Sequence, residues 1–382
     1  MTENQVLIIS FWNPTAENPQ QGVFIQDQVA AICSLRENIV FLQVNVLPSD
    51  NFLLKKTIED SAFYKNRRII INLYSRLWKF WYVNPWILAR IIYRILKKRG
   101  DEINPAIIHS NVISPCGIVG YLLARRMGVK LLISEHWSKA EKLLRHPLYK
   151  RIAMRAYRKS FAIICVSEFL SLKIAKATGH ENIIVIPNII NSEFFTYLPK
   201  TPSGNGRLSL MCVASWRLPK RLDLIVDALC YYALETTRQI DLKVVGNGTQ
   251  IETLKNRETP VNLHIEWLGY LDKPAIAALL QTTQVFLHAS NIETFSIVTA
   301  EALATGTPVL VSNTGALPEL INEHNGILVE NSPTSWLQGI RAVVTKKFDY
   351  EAIAIQNQNK YSPGNVGNSI LSIYNKVNSD LS

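Results

Sequence analysis

Short apolar runs of strand length alternate with stretches of helical apolar spacing along nearly all of the 382-residue chain, and no other feature narrows the fold so far. The runs VLIIS, Ile39–Val46, Ala106–His109, Lys130–Ser134, Phe161–Val166 and Ile183–Ile186 are β-branched and apolar on both faces. Such a run has no face to offer water, so each predicts a strand covered on both sides. Helical patterns follow several of them, as at FIQDQVAAI, Gly117–Met127 and Glu168–Thr178. Buried strands separated by helices specify a parallel sheet in an α/β domain, because parallel neighbours need a crossover connection that a helix supplies.

The rhythm breaks in VIPNIINSEFFTYLPKTPSGNG, where Pro187, Pro199, Pro202, Gly204 and Gly206 predict a linker. It then restarts, with runs at Leu208–Ala214, Leu242–Gly246, Leu263–Leu268, Val285–His288 and Pro308–Val311 alternating with helical stretches near Leu222–Glu235, Gln250–Asn256, Pro274–Gln281 and Ser296–Ala304. A single hydrophobic core stops growing beyond roughly 250–300 residues, so two α/β domains are expected. Their ranges are 1–190 and 205–364, with a C-terminal helix at about 365–382 packing back on the first. Ligands in such sheets bind at the carboxyl ends of strands, which directs attention to the cleft expected between the domains.

Charge is spread unevenly. Residues 1–200 hold 27 Lys+Arg and 14 Asp+Glu against 14 and 16 in residues 201–382, so the halves carry +13 and −2. Residues 51–100 hold 12 of the cations and two acids, Glu59 and Asp60. Within them, RLWKFWYVNPWILARIIYRILKKRG places Arg90, Arg94 and Lys98 on one helical face while Ile91, Ile92, Ile95 and Leu96 can lie on another. Residues 76–99 therefore read either as a basic amphipathic helix resting on an anionic membrane surface or as a packing helix with a solvated cationic face. No nucleic-acid-binding motif accompanies the charge, so no nucleic acid partner is expected. The five cysteines are far apart and include no C-x-x-C pair, which suits a reducing compartment. MTENQVLIISFW lacks the features of a signal peptide and no run of ~18 apolar residues occurs. The expected location is cytoplasmic, with peripheral binding at the inner face of the cytoplasmic membrane as the extension of the amphipathic reading.

The stretch with most chemical content is HASNIETFSIVTAEALATGTPVLVS, where seven residues separate Glu293 from Glu301. A strand ends near His288, a loop carries Glu293 and a helix opens near Ser296. The backbone N–H groups of Phe295, Ser296 and Ile297 then form an anion site at a helix N-terminus, which suits phosphate. Glu301, about one and a half turns along, is placed to accept hydrogen bonds from a vicinal diol such as a ribose. Glu293 is left facing whatever the phosphate carries. Spacing alone leaves open a second reading, a capped amphipathic helix with two solvated carboxylates.

The segment E-T-F-S-I-V-T-A-E-A-L-A-T-G-T-P-V resembles the E-x7-E block of retaining nucleotide-sugar glycosyltransferases of family 4, as found in bacterial polysaccharide and lipopolysaccharide synthesis. Further landmarks follow in the family's order: NPQQGVF, IIHSN, ISEHWS, VIPN, SWRLPKRLDLIVDAL, VVGNG, EWLGYLD, GALPELI and NGILVE. The resemblance implies the GT-B architecture, two Rossmann-like parallel-sheet domains facing across a cleft.

It also implies roles. Glu293 contacts the transferred sugar and Glu301 holds the ribose. Lys220 and an arginine lie on the donor diphosphate, where fixed cations perform the neutralisation a metal would otherwise supply. Arg217 and Arg221 compete for the arginine's place, because the Arg-to-Lys spacing is three and Arg221 stands where a glycine is usual. His136 matches a histidine near the sugar–phosphate junction, and Gly22 a glycine that lets backbone approach the donor. His109, at another strand end, is either an acceptor-side residue or a packed histidine. Gly246 and Gly248 lack the third glycine of a dinucleotide fingerprint and so do not argue for NAD. In the family they line the donor cleft, and Tyr270 follows as a candidate for stacking on the base or as an exposed loop tyrosine.

No D-x-D occurs and the histidines have no ligand spacing, so no metal and no cofactor are expected beyond the nucleoside diphosphate sugar as co-substrate. The function expected is metal-independent retaining transfer of a sugar to an acceptor hydroxyl in cell-surface polysaccharide or glycolipid synthesis. Its rivals are a nucleotide-sugar epimerase of the same fold and an inactive nucleotide-sugar-binding or membrane-scaffold protein.

Overall fold

The apolar runs of the first half lie side by side in one sheet in a computed structural model that describes residues 4–15, 20–136, 147–199 and 206–379. Its strands are β1 (Val6–Ser10), β2 (Ile39–Leu47), β3 (Lys55–Phe63), β4 (Asn66–Tyr74), β5 (Ile107–Asn111), β6 (Lys130–Glu135), β7 (Ala162–Cys165) and β8 (Ile183–Val185), in the spatial order β3-β4-β2-β1-β5-β6-β7-β8. Every pairing is parallel except β3 with β4. Central strands β1 and β5 are buried at every residue, as continuous apolar runs require.

Sequence pattern located no strand at β3, and the reason is its place at the sheet edge. All but the last of its residues are exposed, with Lys55, Lys56, Glu59 and Asp60 among them, and it pairs antiparallel with β4 from Lys55 opposite Tyr74 to Phe63 opposite Asn66. Charges on an edge strand discourage pairing with another chain and erase the apolar signal that periodicity detects.

The helices of this unit are α1 (Val23–Leu35), α2 (Trp78–Tyr82), α3 (Pro85–Lys97), α4 (Ile118–Met127), α5 (Pro147–Lys159) and α6 (Glu168–Thr178). Ser167 caps α6 by accepting from the Leu170 N–H at 3.2 Å, and Gly179 closes it in the left-handed region.

The second sheet contains β9 (Leu208–Val213), β10 (Ile240–Val245), β11 (Leu263–Gly269), β12 (Val285–His288), β13 (Val309–Ser312) and β14 (Gly326–Val329). Its order is β11-β10-β9-β12-β13-β14, with every pairing parallel. Numbered within the sheet this is 3-2-1-4-5-6, the Rossmann arrangement. Helices α7 (Leu222–Leu234), α8 (Thr249–Leu254), α9 (Lys273–Gln281), α10 (Ile297–Ala304), α11 (Pro333–Thr345) and α12 (Tyr350–Lys360) belong to it. Leu222, Ile225 and Leu229 of α7 and Trp336 and Ile340 of α11 share one buried cluster with the sheet.

The chain divides into Met1–Ile189 with Pro363–Ser382, and Ile190–Ser362. Part of the segment read as a linker is therefore built into the second unit: Phe195 is fully buried and the Ile190 N–H donates to the Tyr361 carbonyl at 3.0 Å. Helix α13 (Pro363–Ser379) belongs to the first unit, where Val366, Ile370, Ile373 and Val377 are buried with Ile25, Val29 and Ile32 of α1. Each such aliphatic side chain contributes roughly 1.5–3 kcal/mol on burial, which fastens a helix that follows the whole second unit in sequence.

Candidate active site

Strand order decides where chemistry can gather in the second unit. The order of the strands reverses between the parallel neighbours β9 and β12, so the chain leaves them to opposite sides and opens a crevice at their carboxyl ends. The loops after the two strands are stitched together there. Lys220 and Ser290 form an antiparallel bridge, the Asn291 N–H donates to the Pro219 carbonyl at 2.8 Å, and the Arg221 N–H donates to the Ala289 carbonyl at 3.0 Å. This brings Lys220 to Glu293 across 73 residues of sequence, with the ammonium bonded to Glu293 Oε1.

A third side chain completes the cluster. His288, the last residue of β12, is fully buried and places Nε2 2.7 Å from the same Glu293 Oε1. Burial alone would raise the Glu293 pKa, but the Lys220 charge and the His288 hydrogen bond outweigh it and hold the carboxyl down at about 2. Burial, together with the Lys220 charge, lowers the His288 pKa against the opposing pull of Glu293. At neutral pH the Glu293 carboxyl is therefore ionised and the His288 imidazole neutral.

The loop bearing Glu293 is also held from the far side. Gly315 has φ of 60°, and a Cβ there would collide with the Glu293 backbone oxygen and nitrogen. The Ala316 N–H donates to the Glu293 carbonyl at 3.0 Å, and Thr314 Oγ1 and Asn331 Nδ2 both donate to the Ser290 carbonyl, at 2.7 and 2.9 Å.

Helix α10 opens just beyond. Ser296 is its N-cap in the left-handed region, with φ of 74° and Oγ 2.8 Å from Thr299 Oγ1. Phe295 is buried edge-on to Tyr361, and Ile297 begins the helix, so the first-turn N–H groups have no acceptor within it. Glu301 lies in α10 and is buried, which excludes the alternative of two solvated carboxylates.

The two arginines differ in commitment. Arg221 grips Asp223 in a fork, Nε to Oδ1 at 2.9 Å and Nη2 to Oδ2 at 2.6 Å. Arg217 is exposed and makes no ion pair among the described residues. Tyr270 is half exposed. Gly246 and Gly248 need no ligand to explain them: a Cβ on the first would collide with the Ala214 carbonyl and on the second with the Trp216 carbonyl, so they let the loop after β10 lie against the loop after β9.

In the first unit, His136 follows β6 at a strand end, half-buried, with its peptide N–H donating to Glu135 Oε1 at 3.0 Å and its ring 4.6 Å from that of Phe24. Burial lowers the His136 pKa to about 4, partly offset by a hydrogen bond with Asn188, so the ring is neutral near pH 7. The rest of ISEHWS, Trp137 and Ser138, lies outside the described residues, as do Asn18 and Pro19 of NPQQGVF. Gly22 caps α1 with φ of 71°, and its missing Cβ makes room for the Trp12 carbonyl, a requirement internal to the loop.

His109 is corrected. It is fully buried, with Nδ1 2.6 Å from the Tyr374 hydroxyl of α13 and Nε2 2.7 Å from Ser134 Oγ. Both ring nitrogens are spent inside the core, so it does not present its ring to an acceptor.

Pattern reading missed Glu135 and His288. Glu135 is fully buried, and its Oε2 accepts from the Ile113 N–H at 3.1 Å and the Tyr157 hydroxyl at 2.7 Å, tying the turn after β5 and helix α5 to the residue before His136. A carboxylate inside an apolar strand was the available signal. Among the described residues, no group of three or more His, Cys, Asp or Glu side chains is placed to hold a metal ion.

Residues 195–361 match the family model for Glycosyl transferases group 1, and residues 53–194 match that for Glycosyltransferase Family 4. The chain is 28% identical over 290 residues to an uncharacterized glycosyltransferase of Methanocaldococcus jannaschii, covering 74% of this chain and 77% of that protein. It is 27% identical over 193 residues to a GDP-mannose-dependent alpha-(1-6)-phosphatidylinositol dimannoside mannosyltransferase of Mycobacterium tuberculosis, covering 48% and 49%. Among solved structures, sucrose-phosphate synthase from Thermosynechococcus elongatus superposes with a TM-score of 0.76 at 15% identity, over 99% of this chain and all of that one.

Proposed function

The chain belongs to the family 4 glycosyltransferases, with the GT-B fold, and on that premise we propose that it moves a sugar from a nucleoside diphosphate sugar to an acceptor hydroxyl with retention of anomeric configuration. The observation that carries this reading is the Lys220–Glu293–His288 cluster at the switch point of a 3-2-1-4-5-6 sheet. During transfer the bond from the anomeric carbon to the phosphate oxygen breaks, the diphosphate leaves with the electron pair, and the acceptor oxygen takes its place at that carbon while its proton is released. Charge therefore grows on the diphosphate, and in this reading Lys220 and the uncommitted Arg217 stabilise it without a metal. The first-turn N–H groups of α10 favour the same phosphates. Glu301 holds the ribose diol and Glu293 a hydroxyl of the transferred sugar. For His136 a neutral ring suits hydrogen bonding to the sugar better than charge neutralisation.

The acceptor reading rests on the first unit. Helices α3, α4 and α5 pack side by side, and their charged residues are all cations, including Arg90, Arg94, Arg125, Arg126, Arg151 and Arg155. Trp86 and Tyr93 line the groove between α3 and α4, and Leu77, Phe80 and Val83, in or flanking the α2 helix that packs on α3, are exposed. No described helix is long and apolar enough to cross a membrane. A cationic layer bordered by exposed apolar side chains supports peripheral contact with an anionic leaflet, and hence a lipid-linked or anionic glycan acceptor in cell-surface polysaccharide or glycolipid synthesis.

The test is a panel of UDP-, GDP- and ADP-sugars scored for thermal stabilisation, followed by product analysis with and without acceptor lipids. One donor class should stabilise the protein, by ~2.7 kcal/mol at 100 times its Kd. Glu301→Ala should then chiefly weaken donor binding, and Glu293→Ala chiefly lower turnover, because the ribose is unchanged in the reaction and the sugar is not. Equal, small effects of both substitutions would overturn the roles, and an epimerised sugar formed without acceptor would replace transfer with epimerisation.

A further inference from the structure

His288 has no part in the reading above beyond its contact with Glu293, yet its geometry is specific. Glu293 Oε1 receives both neighbours, the Lys220 ammonium and His288 Nε2, while Oε2 has no hydrogen-bond partner among the described residues. An ionised carboxylate only accepts, so at 2.7 Å the proton lies on Nε2. His288 Nδ1 is buried with no partner among the described residues, so a proton there would be a buried donor with nothing to receive it. The imidazole is thus a neutral donor aimed at one oxygen of one carboxylate. Lys220 Nζ, 3.3 Å from the same Nε2, shares the oxygen and not the proton.

We propose that His288 is a positioning residue for Glu293: it holds Oε1 when Lys220 turns to the donor diphosphate, so that Oε2 stays aimed at the transferred sugar. This rests on the reading in which Lys220 meets the diphosphate and Glu293 the sugar. An ammonium shared with the diphosphate holds the carboxylate less tightly, because its charge and its three N–H donors are divided and the donor brings the greater negative charge. Without a second anchor Glu293 would lose its orientation as the donor arrived. The imidazole supplies an anchor that carries no charge to compete for the diphosphate.

Two measurements test this. Long-range ¹H–¹⁵N correlation of the histidine rings in the wild-type protein at pH 7 should show His288 as the neutral Nε2–H tautomer, both free and with saturating UDP, GDP or ADP. A protonated ring, or the Nδ1–H tautomer, would overturn the proposal whether or not any variant folds. His288→Leu should lower kcat about ten- to a hundredfold, the loss of one hydrogen bond to a charged group, with donor KM changed by less than about threefold. His288→Gln, which can still offer an N–H from the same place, should recover much of the loss. Equal losses in both variants indicate packing alone and refute the role, as does an unchanged kcat in His288→Leu. Failure of the wild-type protein to bind any nucleoside diphosphate would instead overturn the donor reading, and the proposal with it.

Discussion

Replacing Gly315 with alanine should disable the protein from a position that bears no functional group. The residue has φ of 60°, where an L side chain costs roughly 1–2 kcal/mol. Its new Cβ would also overlap the Glu293 backbone oxygen and nitrogen and lie 3.0 Å from the Glu293 carbonyl carbon. These are backbone atoms, so no rotamer change relieves the overlap. The turn must slide away from the Glu293 loop, which weakens the 3.0 Å bond from Ala316 N–H to the Glu293 carbonyl and removes another ~0.5–1.5 kcal/mol. The sum is about 1.5–3.5 kcal/mol, or roughly 3–14 °C in the melting transition of a unit this size. Gly269→Ala is the internal control. Its φ is 64°, and a Cβ there meets only Asn247 Oδ1 at 3.6 Å, so it carries the strain without the collision. Scanning calorimetry of the second-unit transition, compared between the two variants, isolates the collision. Activity adds a second reading: a Glu293 displaced by about 1 Å should cost on the order of a hundredfold in turnover. Equal destabilisation by the two substitutions, to within about 0.5 kcal/mol, would refute the claim that Gly315 holds Glu293 in place.

Two histidines of the first unit predict acid sensitivity. His109 and His136 are held neutral in the folded protein, at about 3 and about 4, in both cases first by burial. The unfolded chain binds their protons from about pH 6.5 downward, so stability is complete above that pH and falls toward pH 4 at up to about 1.4 kcal/mol per unit per histidine. Denaturant titrations at pH 7, 6 and 5 should show the decline, and a flat profile would count against it. Activity should survive EDTA, and Lys220→Ala should cost of order 10²-fold or more. Chelator inhibition reversed by Mg²⁺ or Mn²⁺ would refute metal independence. Sedimentation with anionic vesicles should weaken with salt and with Arg90, Arg94 and Arg125 changed to Glu, at ~1 kcal/mol for each cation lost. Indifference to lipid charge would return α3 to plain packing.

Much of the fold was legible because it rests on local pattern. Continuous apolar runs locate β1, β2, β5 to β7 and most of the second sheet, since a strand covered on both faces has to be apolar throughout. Edge strand β3 was not legible, because it obeys the opposite rule and places charge where pairing is unwanted. The course of α13 could be expected, but its specific tie to the first sheet could not. The hydrogen bond between His109 and Tyr374 joins residues 265 apart, and nothing local in IIHSN distinguishes a histidine with a buried partner from one facing a ligand.

The site divides along the same line. Seven residues between Glu293 and Glu301 form a local relation across one loop and one helix, so spacing carried it. Glycines were harder, because a missing Cβ shows only that something comes close. At Gly246 and Gly248 that something is the chain's own carbonyls, those of Ala214 and Trp216, and at Gly22 it is that of Trp12. His288 was passed over because a histidine ending an apolar strand looks like core, and it is core: no part of it is exposed. Its chemistry comes from a carboxylate five residues on that turns back over the strand end. That return needs the Lys220 bridge to Ser290 and the Gly315 contact, which come from loops after three different strands. The order 3-2-1-4-5-6 makes those loops neighbours, placing β12 between β9 and β13 so that residues near 220, 293 and 315 meet at one edge. Sequence spacing within any one loop does not contain that information, whereas the order of the strands does.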